Sequence, residues 1–375
     1  MNKYIDRLIA GLILISAVFF SGCNSLYIKV DTSQPLKAKA IDYTEIYQLG
    51  IPLEVSLDFI RKGHVLAIAT LASTRFIDLE NNRLIKEIKS ARELIRDADT
   101  DEKNNKYVLL MDRYAHIFNA WNWELINRIG TGRSTGRVVI SKDGTLLYHD
   151  DSLWNVDTGK KIVDYIGGIS STDYVFSDNG RYFIQPGLRA SPSIIDISTR
   201  ERLETYPLLY VENSRQALFR NNTSWYLDYG TLGSPYPETL GLFDISLKRL
   251  AEITPYKAIS CWTRFKDDTR LIMGLADGDV LVLDEKLNVL DHWSLGSRVA
   301  KCVGGKNGQA WLATESRGVF EIDVNKKTIA NPVQFERQVD DIQVSEDGKY
   351  IALLEDIPGG NYMLRVYLNN AVVAK

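Results

Sequence analysis

A short pattern that recurs about every 41 residues constrains the fold of this chain more than any other feature. In each copy two mostly apolar residues precede an Asp or Asn, and another apolar residue usually follows. The eight copies centre on Asp78, Asn119, Asn155, Asp196, Asp244, Asp284, Asp323 and a degenerate Tyr367. A period of ~40 to 45 residues is typical of a four-stranded propeller blade. Because the polar side chain stands just before a turn in each unit, it is predicted to accept hydrogen bonds from turn amides rather than to bind a ligand.

A second pattern, a tight turn between two apolar runs, recurs once in each of the same units. Its clearest copies are SKDGTLLY from residue 141, SDNGRYFI from 177 and SEDGKYIA from 345. Asp-Gly and Asn-Gly pairs reach the positive φ of tight hairpins at low cost. Each unit therefore reads as four short strands, which bury both faces only when the units stack radially. We predict an all-β fold, a single β-propeller over residues 51–375 with eight four-stranded blades; seven blades plus a diverged segment is the alternative. The chain termini are expected to close the ring.

The repeat units resemble those of the WD40-like and quinoprotein-like propeller superfamilies. The stretch WNVDTGKKIVDY at residues 154–165 is similar to the repeat core of the quinoprotein-like group. The GH and WD pairs of standard WD40 repeats are missing, and only one unit has the full Asp-Thr-Gly. The resemblance spans residues 51–375 and implies a propeller fold, while further motifs for a quinone cofactor are absent from the sequence. No cofactor is therefore predicted.

The N-terminus has the layout of a signal peptide. Lys3 and Arg7 precede an uncharged run at residues 8–20, and a small pair follows just before Cys23. A membrane-spanning helix needs about 20 apolar residues, so the run is short for a transmembrane segment. We predict a cleaved signal peptide over residues 1–22, with an uncleaved anchor as the alternative; simple secretion is the alternative to the lipid anchor described next.

The residues around the cleavage site carry a second resemblance. The stretch FSGC, which begins at Phe20, resembles the lipobox of bacterial lipoproteins, although Leu usually stands at the position of Phe20. The resemblance implies that the Cys23 sulfur carries a diacylglyceryl group and that Cys23 begins the mature chain. Asn24 in place of Asp implies sorting to the outer membrane in diderm bacteria. Residues 23–50 are then the lipidated cysteine and a tether that contains a linker or an accessory strand.

A lipid anchor followed by eight blades is similar in layout to the propeller lipoprotein of the outer-membrane β-barrel assembly machinery. This likeness implies a lipid-anchored protein of the cell envelope, at the outer membrane and facing the periplasm, with a protein partner. It concerns layout alone and transfers no site residue.

The charge balance argues against nucleic acid as a partner. The formal net charge is −3, and no clustered basic excess is present. The four histidines are scattered without metal-ligand spacing. No group of residues in the sequence has a pattern typical of a catalytic site, and we do not expect an enzyme.

Three carboxylates in the second unit form a candidate cation site. Asp97, Asp99 and Asp101 alternate as they would along a strand, but the EF-hand pattern fails because Glu102 and Val108 stand at its Gly and Glu positions. In other units the places of Asp99 and Asp101 are mostly apolar. Either the strand ends early and leaves a solvated acidic loop, or it presents carboxylates to a cation or a basic partner.

Two cysteines remain once Cys23 carries lipid. Cys261 and Cys302 lie 41 residues apart, on the predicted innermost strands of consecutive units. A disulfide is compatible with an oxidising compartment. Two buried free thiols are the alternative, because neighbouring inner strands can lie outside the Cα separation of ~4.4 to 6.8 Å that a disulfide requires.

The longer loops are the candidate partner-binding segments. Connections after the second strand are long in units 4, 5 and 8, and such loops on a rigid scaffold often carry binding residues. Arg189, Tyr229 and Tyr236 are of the types that anchor interfaces. Ordinary variation in loop length, without a binding role, is the alternative. We predict a membrane-anchored propeller that acts as a protein-binding scaffold. The alternative is a propeller enzyme or small-ligand receptor that uses the central channel; the inner strands read as mainly apolar apart from unit 2, which disfavours it.

Overall fold

The computed structural model describes residues 43–51, 54–90, 93–101, 106–130, 137–164, 174–186, 192–204, 216–230, 237–266, 269–316, 318–333, 338–357 and 361–373. Within these ranges the strands form eight four-stranded sheets, each with antiparallel neighbours. The predicted all-β propeller of eight blades is confirmed. Seven of the sheets take four strands that are consecutive in the chain, and the eighth takes one strand from the other end of the chain.

The first four blades follow one another from Glu54 to Glu204. Blade 1 contains β2 (Glu54–Ile60), β3 (Val65–Thr70), β4 (Ser73–Asp78) and β5 (Arg83–Lys89). Blade 2 contains β6 (Ile95–Asp101), β7 (Lys106–Met111), β8 (Tyr114–Asn119) and β9 (Leu125–Gly130). Blade 3 contains β10 (Val138–Ile140), β11 (Leu146–His149), β12 (Ser152–Asn155) and β13 (Lys161–Val163). Blade 4 contains β14 (Val175–Phe176), β15 (Tyr182–Gln185), β16 (Ser193–Asp196) and β17 (Glu201–Glu204).

The remaining blades complete the ring. Blade 5 contains β18 (Ala217–Asn221), β19 (Ser224–Tyr229), β20 (Thr239–Asp244) and β21 (Arg249–Ile253). Blade 6 contains β22 (Ile259–Arg264), β23 (Leu271–Leu275), β24 (Asp279–Leu283) and β25 (Val289–Ser294). Blade 7 contains β26 (Val299–Gly304), β27 (Gln309–Thr314), β28 (Gly318–Asp323) and β29 (Thr328–Val333). Blade 8 contains β30 (Val339–Val344), β31 (Tyr350–Ile357), β32 (Asn361–Asn369) and, as its outermost strand, β1 (Tyr43–Ile51).

The two ends of the described chain close the ring by sharing blade 8. β1 pairs with β32 over nearly its whole length, so residues 43–50, assigned to the tether from the sequence, belong to the propeller. The Tyr43 hydroxyl donates a hydrogen bond to Glu321 Oε2 in blade 7 (2.8 Å) and accepts one from Asn369 Nδ2 (2.9 Å). This arrangement also explains the degenerate eighth copy at Tyr367, because no turn links β32 to the fourth strand of its sheet.

Eight apolar clusters form the core within the described residues, and each lies between two neighbouring blades. In β7, for example, Tyr107 and Leu109 pack against blade 1, whereas Val108 and Leu110 pack against blade 3. Successive side chains of a strand point to opposite faces of its sheet. A strand that is covered on both faces therefore needs an unbroken apolar run, which explains why the second strand of each blade lacks the apolar and polar alternation of a half-exposed strand.

The repeated Asp and Asn residues have the structural role that the sequence predicts. Asp244 Oδ1 accepts hydrogen bonds from the backbone N–H groups of Ser246 (2.9 Å) and Lys248 (3.0 Å) in the turn that follows it. Asp78, Asn119, Asn155, Asp196, Asp284 and Asp323 make equivalent bonds to turn amides. The first-turn motif is built in the same way: Gly144, which has a φ of 69°, follows Asp143, whose Oδ1 accepts the Ser141 hydroxyl (2.6 Å).

Helical structure is minimal. The described residues contain a 3₁₀ turn at Arg61–Gly63 and a short helix, α1, at Asn370–Val373. Among these residues no helix has the length and apolarity that a membrane span requires.

Candidate functional site

The first strands of the blades form the wall of the central channel. First strands of neighbouring blades lie against one another, as β22 does against β26 and β2 against β6. A cavity of about 530 Å³ opens between them and is lined by first-strand residues of blades 1, 2, 5, 6, 7 and 8. The sequence predicted a channel wall that is mainly apolar apart from blade 2. This prediction is wrong, because blades 1, 6, 7 and 8 also contribute charged side chains.

Two carboxylates of blade 2 accept hydrogen bonds from the first strand of blade 3. β6 continues to Asp101, so the strand does not end early and no solvated acidic loop forms at Asp97 and Asp99. Asp97 Oδ2 accepts the backbone N–H of Val138 (2.9 Å), and Asp99 Oδ2 accepts that of Ile140 (2.7 Å). These N–H groups belong to the inner edge of β10, which has no further strand in its sheet. The two carboxylates thus replace a missing strand for blade 3.

The environment of these carboxylates raises their affinity for protons. Burial raises the pKa of Asp97 to about 6, although the N–H of Val138 and the charge of Arg137 oppose the rise. Burial raises the pKa of Asp99 well above its usual range, and the negative charge of Asp58 adds to the effect. Asp101 is only 1% exposed.

A metal site is not assembled at this place. Among the described residues, which include Asp97, Asp99 and Asp101, no group of three or more acidic, histidine or cysteine side chains is arranged to hold a metal ion. The carboxylate oxygens of Asp97 and Asp99 that face blade 3 are used by backbone N–H groups. The geometry therefore favours a role in joining blades.

Charges of both signs line the cavity, in different sectors of the ring. The acidic groups are Asp58 of blade 1 and Asp341 of blade 8. The basic groups come from blades 3, 6 and 7 and are Lys142, Arg264, Lys266 and Lys301. Burial raises the pKa of Asp341, opposed by the positive charge of Lys301 and by the hydrogen bond from Gln343. The Arg264 guanidinium is held in place because Nη1 donates to Arg220 O (2.6 Å) and Phe219 O (3.0 Å) in blade 5.

Cys261 and Cys302 form a disulfide in the structure, with a Cα separation of 5.7 Å. The bond joins β22 to β26, and so joins blade 6 to blade 7 beside the cavity, which Cys302 helps to line. Both side chains pack against the apolar cluster between these blades. Of the two arrangements that the sequence left open, the structure has the bridged one.

Tyr229 is the one predicted partner-binding residue that lies within the described ranges. It ends β19, and its hydroxyl donates to Glu252 Oε2 (2.9 Å) on the outermost strand of the same blade. Burial and the Glu252 carboxylate raise the pKa of Tyr229 to about 12. Its polar end is therefore engaged inside blade 5. Arg189, Tyr236 and Cys23 lie outside the described residues.

A second concave site lies between blades 1 and 2, on the face that carries the first turns of the blades. It has a volume of about 340 Å³ and includes Arg61, Trp121 and Trp123. The Arg61 guanidinium lies 5.0 Å from the ring centroid of Trp121 and 4.8 Å from that of Trp123. Arg61 also donates through Nε to Ala120 O (2.7 Å) and through Nη2 to Trp121 O (2.6 Å). Trp121 is nevertheless 57% exposed.

This tryptophan site was missed in the sequence prediction, which placed partner binding on the loops of the opposite face. A signal for it exists in the sequence: the turn after Asn119 reads AWNWE, whereas the corresponding turns of other units carry mainly small and polar residues. The loop-length criterion overlooked it because this turn is short.

Solved structures with this fold include the C-terminal WD40 domain of Sif2, which is 16% identical to this chain at a TM-score of 0.69. The match covers 88% of this chain and 99% of that domain. The computationally designed Ika8 protein is 14% identical at a TM-score of 0.60, over 85% of this chain and 99% of its own. No protein-family model matches the sequence, and no curated protein matches it. The similarity shows the propeller fold, in agreement with the eight four-stranded sheets of this chain.

Proposed function

We propose that this protein is a lipoprotein of the cell envelope, anchored through Cys23 to the outer membrane and facing the periplasm, whose propeller binds a protein partner. In this proposal it is a scaffold rather than an enzyme and uses no cofactor. The binding surface is the concave site between blades 1 and 2, which we call the tryptophan site and define by Arg61, Trp121, Trp123 and the neighbouring Ile85 and Arg83.

The half-exposed Trp121 carries the binding part of the proposal. Tryptophan and arginine are the residue types most often found as anchors of protein interfaces. A tryptophan presents ~150–250 Å² of surface, so covering the exposed 57% of Trp121 would contribute about 3 kcal/mol to binding. The contacts of Arg61 with the indole ring and with the backbone of the turn hold Trp121 in place, which lowers the entropy cost of binding.

Other exposed apolar side chains support this choice by contrast. Leu84, Leu250 and Leu290 are each about half exposed, but they stand singly on the outermost strands of different blades. Isolated apolar residues of this kind are normal on protein surfaces and need no partner. Trp121 differs because it borders a cavity that contains a second tryptophan and a set of charged groups.

Two further observations support the location in the cell envelope. The sequence FSGC at residues 20–23 resembles a lipobox, and two or more acyl chains hold a protein on a membrane stably where one chain does not. The bridge between Cys261 and Cys302 fits an oxidising compartment, since disulfides are rare in reducing ones.

Affinity capture from detergent-solubilised membranes tests the binding surface. Trp121→Ala should weaken recovery of the partner at least tenfold relative to the unaltered protein. Leu290→Ala removes a side chain of similar exposure, 51%, from blade 6 and should leave recovery unchanged. Equal recovery with both variants would show that the partner binds elsewhere on the propeller.

Membrane fractionation tests the anchor separately. Cys23→Ser should release a folded propeller from the membrane fraction, because the chain then has no site for the lipid. Persistence of the variant on the membrane as a full-length, uncleaved chain would contradict the lipid anchor and favour an uncleaved transmembrane segment.

A further inference from the structure

The disulfide between Cys261 and Cys302 borders the central cavity and is not sealed inside the core. Both cysteine side chains are partly buried, and both pack against the apolar cluster between blades 6 and 7. Of the two, Cys302 lines the cavity and Cys261 does not. Exposed disulfides are more readily reduced than inaccessible ones. The position of this bond therefore makes Cys302 the cysteine that a small molecule in the channel reaches first.

The boundary between blades 6 and 7 does not depend on the disulfide alone. Phe265 of blade 6 and Leu312 of blade 7 are fully buried in the same apolar cluster. In addition, the Lys266 N–H donates a hydrogen bond to Gly305 O (2.8 Å), which links the first turns of the two blades. Opening the S–S bond leaves this packed and hydrogen-bonded boundary in place. The bond can therefore exchange while the propeller stays folded.

The exchange reaction needs nothing beyond a thiol, because the disulfide is itself the oxidant. A thiolate attacks Cys302 Sγ, and a new S–S bond forms between the incoming sulfur and Cys302. The bond between Cys302 and Cys261 breaks, and its electron pair goes to Cys261 Sγ. Cys261 leaves as a thiolate and takes a proton from water. The product is a mixed disulfide on Cys302 with a free thiol at Cys261.

The cavity has the size and the local charge for a small thiol. Its volume of about 530 Å³ falls within the ~300 to 1,000 Å³ of small-molecule sites. Arg264 and Lys301, which also line it, stand on β22 and β26, the two bridged strands, whereas the acidic Asp58 and Asp341 belong to blades 1 and 8. Because the attacking group is an anion, the positive charges on the bridged strands favour its approach.

We propose that Cys302 is a modification site, at which a low-molecular-weight thiol that enters the central channel forms a reversible mixed disulfide. The reaction releases Cys261 and removes the covalent link between blades 6 and 7. Neither the lipid on Cys23 nor the tryptophan site takes part in it. This proposal and the proposed binding function can therefore fail separately.

Incubation of the purified full-length lipoprotein in detergent with reduced glutathione tests the site without altering the chain. After an acid quench and alkylation of free thiols, peptide mass mapping locates the adduct, because Cys261 and Cys302 lie on different tryptic peptides. In the folded protein we expect glutathione on Cys302 at least about tenfold more often than on Cys261, and in urea a similar yield on both, since unfolding removes the difference in access. Equal yields in the folded protein, or no adduct until urea unfolds the chain, would overturn the proposal.

Two single variants measure the access of each sulfur directly. Cys261→Ser leaves the Cys302 thiol in the channel wall, and Cys302→Ser leaves the Cys261 thiol; both lack the bridge, so each is the matched control of the other. With Ellman's reagent, the folded Cys261→Ser protein should react at least about tenfold faster than the folded Cys302→Ser protein. The variant with both cysteines replaced by Ser gives the blank. Equal rates, or the reverse order, would contradict attack at Cys302. Should either variant fail to fold, the adduct map of the unaltered protein still decides.

Discussion

Two of the boundaries between blades are joined near the channel by different chemistry. Between blades 2 and 3, the carboxylates of Asp97 and Asp99 accept backbone N–H groups of β10. Between blades 6 and 7, a disulfide joins Cys261 to Cys302. Both links connect first strands, where the inner edge of each sheet has no further strand to pair with.

The difference shows that neighbouring first strands in a ring of sheets can be linked by different interactions at different blade boundaries. The carboxylate link costs desolvation, which is visible in the raised pKa values of Asp97 and Asp99, but it satisfies N–H groups that would otherwise be unpaired. The disulfide satisfies no backbone group and acts mainly by restricting the unfolded chain. The first link should therefore respond to pH and the second to reductant.

Removal of the disulfide should have the largest effect. The bond closes a loop of 41 residues, for which the chain-entropy model gives about 4 kcal/mol of stability. Replacing both Cys261 and Cys302 by Ser should lower the free energy of unfolding by about this amount in a urea titration. The unaltered protein measured with reductant is the matched control and should resemble the variant. An unchanged unfolding midpoint in both would mean that the boundary between blades 6 and 7 is held by its apolar cluster alone.

A pH titration should give the next largest effect, at the boundary between blades 2 and 3. The pKa of Asp97 is raised from an ordinary value of 3.8 to about 6, so the folded chain binds this proton more tightly than the unfolded chain does. Its contribution to stability is therefore present below about pH 4 and is lost as the pH rises through 6. Asp97→Asn lacks this titration.

The measurement for this prediction is a difference. The free energy of unfolding of the unaltered protein, minus that of Asp97→Asn, should fall by up to about 3 kcal/mol between pH 4 and pH 7. Taking the difference cancels the contributions of carboxylates whose pKa is lowered in the folded chain, because both proteins contain them. An example is Asp196, whose pKa the Arg181 hydrogen bond lowers to about 2. A flat difference, or one that rises with pH, would contradict the assigned environment of Asp97.

The smallest expected effect isolates one hydrogen bond of the same boundary. Asp99→Asn retains an oxygen that can accept the N–H of Ile140, whereas Asp99→Ala leaves that N–H without an acceptor. Both changes remove the charge, so the Ala variant should be less stable than the Asn variant by about 1 to 3 kcal/mol in chemical denaturation. Asp157→Asn removes only the charge of an exposed carboxylate that pairs with Lys106 between the same blades, and should cost less than about 1 kcal/mol. Equal stability of the Ala and Asn variants would mean that water satisfies Ile140.

Much of the fold and little of the candidate sites could be predicted from the sequence. The Asp or Asn before each turn and the Asp-Gly pairs act within a few residues of themselves, so their hydrogen bonds, such as those of Asp244, follow from local spacing. The bond from Asp99 to Ile140 spans 41 residues and depends on how one blade lies against the next. No local pattern encodes it, and Asp97, Asp99 and Asp101 were therefore read as a loop or a cation site.

The sequence by itself determined the repeat, the order of the blades and the turns inside them, because seven of the eight blades are built from strands that are consecutive in the chain. Only the tertiary structure decided how the blades join: the pairing of β1 with β32, the hydrogen bonds from β10 to the carboxylates of β6, and the bridge between Cys261 and Cys302. These features bring together residues that are a whole blade or a whole ring apart. Their partners are set by the radial stacking of the sheets, and stacking has no signature within a single repeat.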